Sequence, residues 1–210
     1  MGDHILGAEF NVTGLSDPLE IERAHFLDSL SLLDLECVSS AASVVDVGSG
    51  AGLPALVLAL ALPNAEIVAV ESQRKKCAHI RHVAQALSLL NLEVYCGRAE
   101  EYGRSAGRES HGVVVSRAVA SLPVLAEYSL PLLRVGGTML AMKGAVSNQE
   151  LTQAEKALGI LGADRLDVVG VVPFAGAPDR SLCLARKVRP TPGEYPRRTG
   201  VPVKRPLGRS

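Results

Sequence analysis

The residues best suited to chemistry are gathered in one stretch, Asp46-Val47-Gly48-Ser49-Gly50-Ala51-Gly52-Leu53-Pro54. Glycine has no Cβ, so Gly48, Gly50 and Gly52 allow a sharp turn in which backbone approaches a ligand closely. The run Ala55 to Leu62 that follows is helix-forming, and its free N–H groups would face whatever the turn holds. Glu71 lies about 20 residues further on, ending the aliphatic run Glu66 to Glu71, where an acid accepts both hydroxyls of a ribose or starts the next helix. Ala99-Glu100 is placed to meet the amino group of a base through its acid or a backbone carbonyl. Arg117 offers a planar fork of donors for a phosphate, a base edge or an acid such as Glu100, and Lys143 a point charge. No acid and base stand out as a pair for proton transfer. Cys37, Cys77, Cys96 and Cys183 are far apart, with no C-x-x-C and no paired histidines, so the reading is reduced, buried thiols and no metal site.

These residues share a position: each follows an aliphatic run. Ser43 to Val45, Glu66 to Glu71, Leu92 to Cys96, Gly112 to Val115 and Thr138 to Met142 read as strands, alternating with helices at Ala55 to Leu62, Gln73 to Leu90, Leu122 to Leu133 and Asn148 to Leu161. Gly136-Gly137 reads as a turn after the third of those helices. Alternation of this kind predicts an α/β fold with a mostly parallel, doubly wound sheet, whose ligands bind at the carboxyl ends of the strands. Val168 to Val172 and Ser181 to Ala185, joined by the Gly/Pro-rich Pro173 to Arg180, predict a closing antiparallel pair. The first 20 residues read as irregular, and a helix is predicted from Pro18 that puts His25 and Asp28 on one face.

Composition agrees. Hydrophobic residues make up 47% of the 210 but aromatics only 3%, with no Trp, so the core is built from Val, Leu, Ala and Ile. No basic leader and no apolar stretch approaching ~20 residues is present, which predicts a cytoplasmic protein without membrane contact. Charge is unevenly spread: residues 180–210 hold nine of the 22 Lys and Arg but one of the 22 Asp and Glu, Glu194. A basic tail on an acidic body points to an anionic macromolecule, unless the tail is merely solvated. The domain reading is a helical segment at 1–40, a ligand-binding domain at 41–190 and a basic tail at 191–210.

The glycine spacing separates two cofactor classes. The dinucleotide fingerprint requires Gly-x-Gly-x-x-Gly, and here its third place is Leu53. Alternation of Gly48, Gly50 and Gly52 behind an acid, Asp46, is instead the spacing of S-adenosylmethionine-dependent methyltransferases. Asn11-Val12-Thr13, His25-Phe26-Leu27-Asp28-Ser29-Leu30, the glycine stretch, Ser116 to Pro123, Ala141-Met142-Lys143-Gly144 and Tyr195 to Pro202 together resemble the bacterial small-subunit ribosomal RNA guanine-N7 methyltransferases, also called glucose-inhibited division protein B. The resemblance covers residue 11 to the end. It implies a Rossmann-like class I methyltransferase fold, S-adenosyl-L-methionine as donor, and methylation of guanine N7 in the 530 loop of 16S ribosomal RNA or the small subunit, by a monomer. Carried onto matching positions, it implies Gly48, Leu53, Ala99, Glu100 and Arg117 at the cofactor, beside Asp46, Gly50, Gly52 and Glu71. Relatives have a longer helical lead before the Asn-x-Thr segment, so a shortened N-terminal RNA-facing subdomain is expected.

Guanine N7 carries an in-plane lone pair and loses no proton on attack, so neither a base nor a nucleophilic cysteine is needed. Alignment and charge stabilisation remain. With few aromatics for stacking, RNA binding is expected to rest on His25, Asp28, Lys143, Arg197, Arg198, Lys204 and Arg205, and changing Arg197 and Arg198 together to Ala is expected to weaken RNA binding alone. The competing readings are a methyltransferase for a different RNA or a small molecule, a nucleotide-binding oxidoreductase, and a non-catalytic RNA-binding module. The last two predict no S-adenosylmethionine affinity.

Overall fold

The computed structural model describes residues 22–117, 119–171 and 180–209; the expectations for residues 1–20 and for most of the Pro173 to Arg180 connection lie outside them. Val44 and Val45, adjacent in sequence, are both fully buried, and strand geometry sends them to opposite faces. Val44, Ile67, Val115 and Leu140 join one core cluster while Val45, Val68, Val114 and Met139 join the other. A continuous aliphatic run is thus the mark of a strand covered on both sides.

Five strands are parallel: β1 (Ser43–Val47), β2 (Glu66–Glu71), β3 (Leu92–Cys96), β4 (His111–Arg117) and β5 (Leu133–Lys143). β6 (Asp167–Val171) and β7 (Arg180–Arg186) close the edge, with β7 antiparallel to both β5 and β6. The order is β3-β2-β1-β4-β5-β7-β6, so the direction of winding reverses between β1 and β4, where such sheets open a ligand crevice. Helices α1 (Ala55–Ala61), α2 (Arg74–Ala86), α3 (Ala99–Tyr102), α4 (Leu122–Ser129), α5 (Asn148–Leu161) and α6 (Val201–Lys204) lie between and after the strands. A helix-bordered, mostly parallel sheet was legible from alternation.

Four features differ from the sequence expectation. Gly136-Gly137 lies inside an 11-residue β5, not in a turn, and forms an irregularity against His111 to Val113; a Cβ on Gly137 would sit 2.7 Å from the Gly112 carbonyl. The helix expected from Pro18 is, among the described residues, helical backbone of changing type, π over Glu22–Leu27, α over Asp28–Leu30 and 3-10 over Ser31–Asp34, followed by a separate short turn of helix at Glu36–Ser39. Ser29 and Ser31 hydroxyls donate back to the carbonyls of His25 and Asp28 along it. Cys77 and Cys96 are joined as a disulfide between α2 and the end of β3, leaving Cys37 and Cys183 free. Two cysteines 19 residues apart carry no pairing signal; the parallel register of Glu71 with Cys96 brings them together. Finally, residues 191–209 are not a loose tail. They are strapped to the domain, with Arg104 and Arg108 donating to the carbonyls of Pro196 and Tyr195 at 2.8 and 2.7 Å.

Gly52 holds φ at +99°, and a Cβ there would lie 2.5 Å from Leu56 Cδ1 in the buried α1. Gly52→Ala is expected to lower stability by about 2–4 kcal/mol, through left-handed strain and overpacking. A urea midpoint equal to that of the unmodified protein would contradict this reading of the turn.

Candidate active site

The glycine turn is pinned from below and open above. N–H groups of Gly48 and Ser49 both donate to the Val70 carbonyl, at 2.8 and 3.2 Å, which ties the turn to the end of β2. Around Gly50, with φ +58°, a Cβ would meet nothing nearer than 3.9 Å, so the turn's crest is free for a ligand. Leu53, by contrast, is buried in the core beside α1 and contributes to the turn's footing. Glu71 is 6% exposed, and its carboxylate accepts the N–H of Gly50 at 3.0 Å and of Gln73 at 2.8 Å. Its orientation is therefore set by two backbone donors.

Asp46 lies under the turn. Oδ2 accepts the Ala55 N–H at 3.2 Å, one of the free donors of α1, while Oδ1 is buried with no partner among the described residues. Burial pushes its pKa up from 3.8 to about 6 against the opposing hydrogen bonds. Because the folded-state value lies above the unfolded one, the native protein binds the extra proton between these values, and stability falls as pH rises from about 4 to about 6. The loss across that window is expected to be about 2–3 kcal/mol. Asp46→Asn should flatten it; an unchanged difference between urea midpoints at pH 4.5 and 7 would refute the assignment.

Glu100 closes the third side. It is 3% exposed and accepts the N–H of Gly200 at 2.9 Å, a contact across 100 residues of sequence. Together Gly48, Glu71, Gly97, Glu100, Val119 and Tyr128 line one cleft. Tyr128 was not expected there, since a lone tyrosine in an apolar helix reads as core. Burial first, and the charge of Glu100 next, push its hydroxyl up to about 12, so it remains a neutral donor.

Arg117, at the end of β4, meets Asp28 with Nη1 to Oδ2 at 3.7 Å, and Arg180 approaches the other Asp28 oxygen at 4.0 Å. Burial lowers the Arg117 pKa while Asp28 and Asp46 pull it back. His25 joins the group with neither ring nitrogen hydrogen-bonded among the described residues; burial and then the Arg117 charge hold its pKa low, so it is neutral at pH 7. The helical spacing of His25 and Asp28 was readable, but Arg180 entered the sequence reading only as one of the tail's charges.

Two predicted site residues are placed differently. Lys143 Nζ is held by Glu150 at 2.9 Å and the Ala120 carbonyl at 3.0 Å, and Glu150 in turn accepts the Leu122 N–H at 2.8 Å. Lys143 thus fastens the loop between β4 and α4 instead of facing solvent. Arg197 gives its main-chain N–H and Nε to Glu127 Oε1 at 2.8 Å and Nη2 to Oε2 at 2.5 Å, and Glu127 is fully buried. Its fork is an internal clamp. Arg198, Lys204 and Arg205 are exposed on the strap.

The chain is similar to proteins of one kind. The family model described as rRNA small subunit methyltransferase G, GidB, matches residues 4–183. Proteins named ribosomal RNA small subunit methyltransferase G from Chloroflexus aggregans and Symbiobacterium thermophilum are 43% and 45% identical over 94% of this chain, and over 83% and 82% of their own lengths. Among solved structures, an S-adenosylmethionine-dependent methyltransferase from Aquifex aeolicus matches with a TM-score of 0.60 at 17% identity, covering 84% of this chain and 97% of that one. A precorrin-6y C5,15-methyltransferase from Geobacter metallireducens matches at 0.56 and 19% identity, covering 76% and 85%. Those two establish the fold, that of the Rossmann-like methyltransferases. The sequence matches establish more: this chain belongs to the rRNA small subunit methyltransferase G family.

Proposed function

We propose that this protein transfers a methyl group from S-adenosyl-L-methionine to N7 of a guanine in the 530 loop of 16S ribosomal RNA, acting as a cytoplasmic monomer. The observation that carries the cofactor reading is the set of three buried acids, Asp46, Glu71 and Glu100, around the glycine turn, one oxygen of Asp46 having no partner among the described residues. Such a socket repels a pyrophosphate and suits an adenosyl ligand with a positively charged end. The bound cofactor supplies an electrophilic methyl on sulfur.

The chain's own residues then have to hold, orient and shield. Glu71, fixed by Gly50 and Gln73, takes the ribose hydroxyls; Glu100, fixed by Gly200, takes the base. Attack through N7 leaves positive charge on the purine. Asp28 offsets that charge and accepts from the guanine N–H edge, while Arg117, with Nη1 3.7 Å from Oδ2, holds the Asp28 carboxylate in place. A neutral His25 adds no opposing charge. None of these residues needs to remove a proton.

Mapping of N7-methylguanine in 16S ribosomal RNA from a strain lacking the protein tests the whole reading. The modification should vanish at one guanine and return when purified protein and S-adenosyl-L-methionine are added to the isolated small subunits. Retention of the mark in the deletion strain would exclude this activity.

A further inference from the structure

We propose that the exposed face of α2 is a docking surface for the phosphate backbone of the RNA substrate, an inference that rests on the ribosomal RNA reading above. Arg74, Lys75, Arg81 and His82 are exposed, and their spacing of one, seven and eight places them on a single face. Seven residues of helix separate the two ends of this stripe by about 10 Å. The other face, Cys77, Ile80, Val83 and Ala84, is buried against the sheet. From Arg74 to Ala86 the helix contains no acid, and among the described residues no carboxylate lies within 4.0 Å of its cations.

Folding accounts for only part of this charge: Arg81 Nη2 donates to the Val94 carbonyl at 2.8 Å, whereas among the described residues Arg74 and Lys75 have no side-chain hydrogen bond or ion pair. Cations in the first turn oppose the helix dipole, and Gln73 provides no side-chain cap. An acid would serve the helix better there. Outside residues 180–210 the protein is acidic, so the stripe is also locally exceptional. Position supplies the remaining argument: α2 starts just past Ser72, which lines the cleft together with Arg98, itself exposed. A substrate much larger than the cleft has to run across that rim. No Phe, Tyr or Trp lies on the helix, so the surface suits phosphates better than stacked bases.

The test is methylation and binding of small subunits by Arg74→Gln/Lys75→Gln/Arg81→Gln, and by Arg74→Gln/Lys75→Gln, which removes no intramolecular bond. Both should raise KM about tenfold, leave kcat and S-adenosyl-L-methionine affinity unchanged, and reduce the slope of log affinity against log salt by about 0.7–0.9 for each phosphate that is no longer neutralised. Arg74→Lys/Arg81→Lys, which keeps both charges, should leave KM near that of the unmodified protein, and Lys156→Gln, on α5, should not alter it. Unchanged KM and salt slope in both neutralised variants, or an equal change in Lys156→Gln, would overturn the docking surface. Failure of the unmodified protein to methylate small subunits at all would instead overturn the functional reading beneath it.

Discussion

Replacing Glu71 with alanine is expected to weaken S-adenosyl-L-methionine binding by about ten- to a hundredfold, the range for losing hydrogen bonds to a buried charged group. The size follows from preorganisation. Gly50 and Gln73 already aim the carboxylate, so little ordering remains for the ligand to bring about, and solvent is excluded at 6% exposure. Glu71→Gln separates shape from charge: it keeps the volume, but its amide donors face backbone donors, so affinity should fall nearly as far. Calorimetric titration reads the dissociation constants, and urea midpoints show whether each variant is folded. A folded Glu71→Ala protein that binds S-adenosyl-L-methionine normally would dismiss the acid-lined socket.

The second large effect is expected at Arg197. Arg197→Ala leaves the Glu127 carboxylate fully buried without its cation, which typically costs about 3–5 kcal/mol. Because the clamp holds the strap that brings the Gly200 N–H to Glu100, cofactor affinity should fall in the same variant. Replacing both partners, Arg197→Met with Glu127→Leu, should recover most of the stability, since no buried charge is left unpaired. Arg198→Ala, at an exposed strap position, should leave stability and cofactor binding intact and weaken RNA binding alone. This division replaces the expectation that Arg197 and Arg198 act together on RNA. Equal urea midpoints for Arg197→Ala and Arg198→Ala would show that the clamp carries no stability.

The contrast between Glu71 and Arg197 shows what can be read in a sequence. Glu71 was legible because a strand's end, a glycine turn and a fixed interval place an acid at a predictable point. All three are local. Arg197 was misread because a cation among cations resembles a solvated run, and its acid stands 70 positions away, inside a helix that reads as core. Lys143 is a similar case, since Glu150 and the Ala120 carbonyl meet it only through the packing of α5 against α4. Lys187 shows the extreme form: counted among the tail's charges, it is fully buried, donating to Glu109 at 2.7 Å and to two carbonyls.

Sequence by itself determined the alternating elements, the sheet's buried character, the glycine turn and the acids at Glu71 and Glu100, because backbone freedom and strand period are written residue by residue. It also carried the family, through motifs spread from Asn11 to Pro202. Tertiary structure alone decided which charges face outward. Desolvation and pairing depend on what lies across the fold, so only there did Arg117 find Asp28, Cys77 find Cys96, and the strap find Glu100.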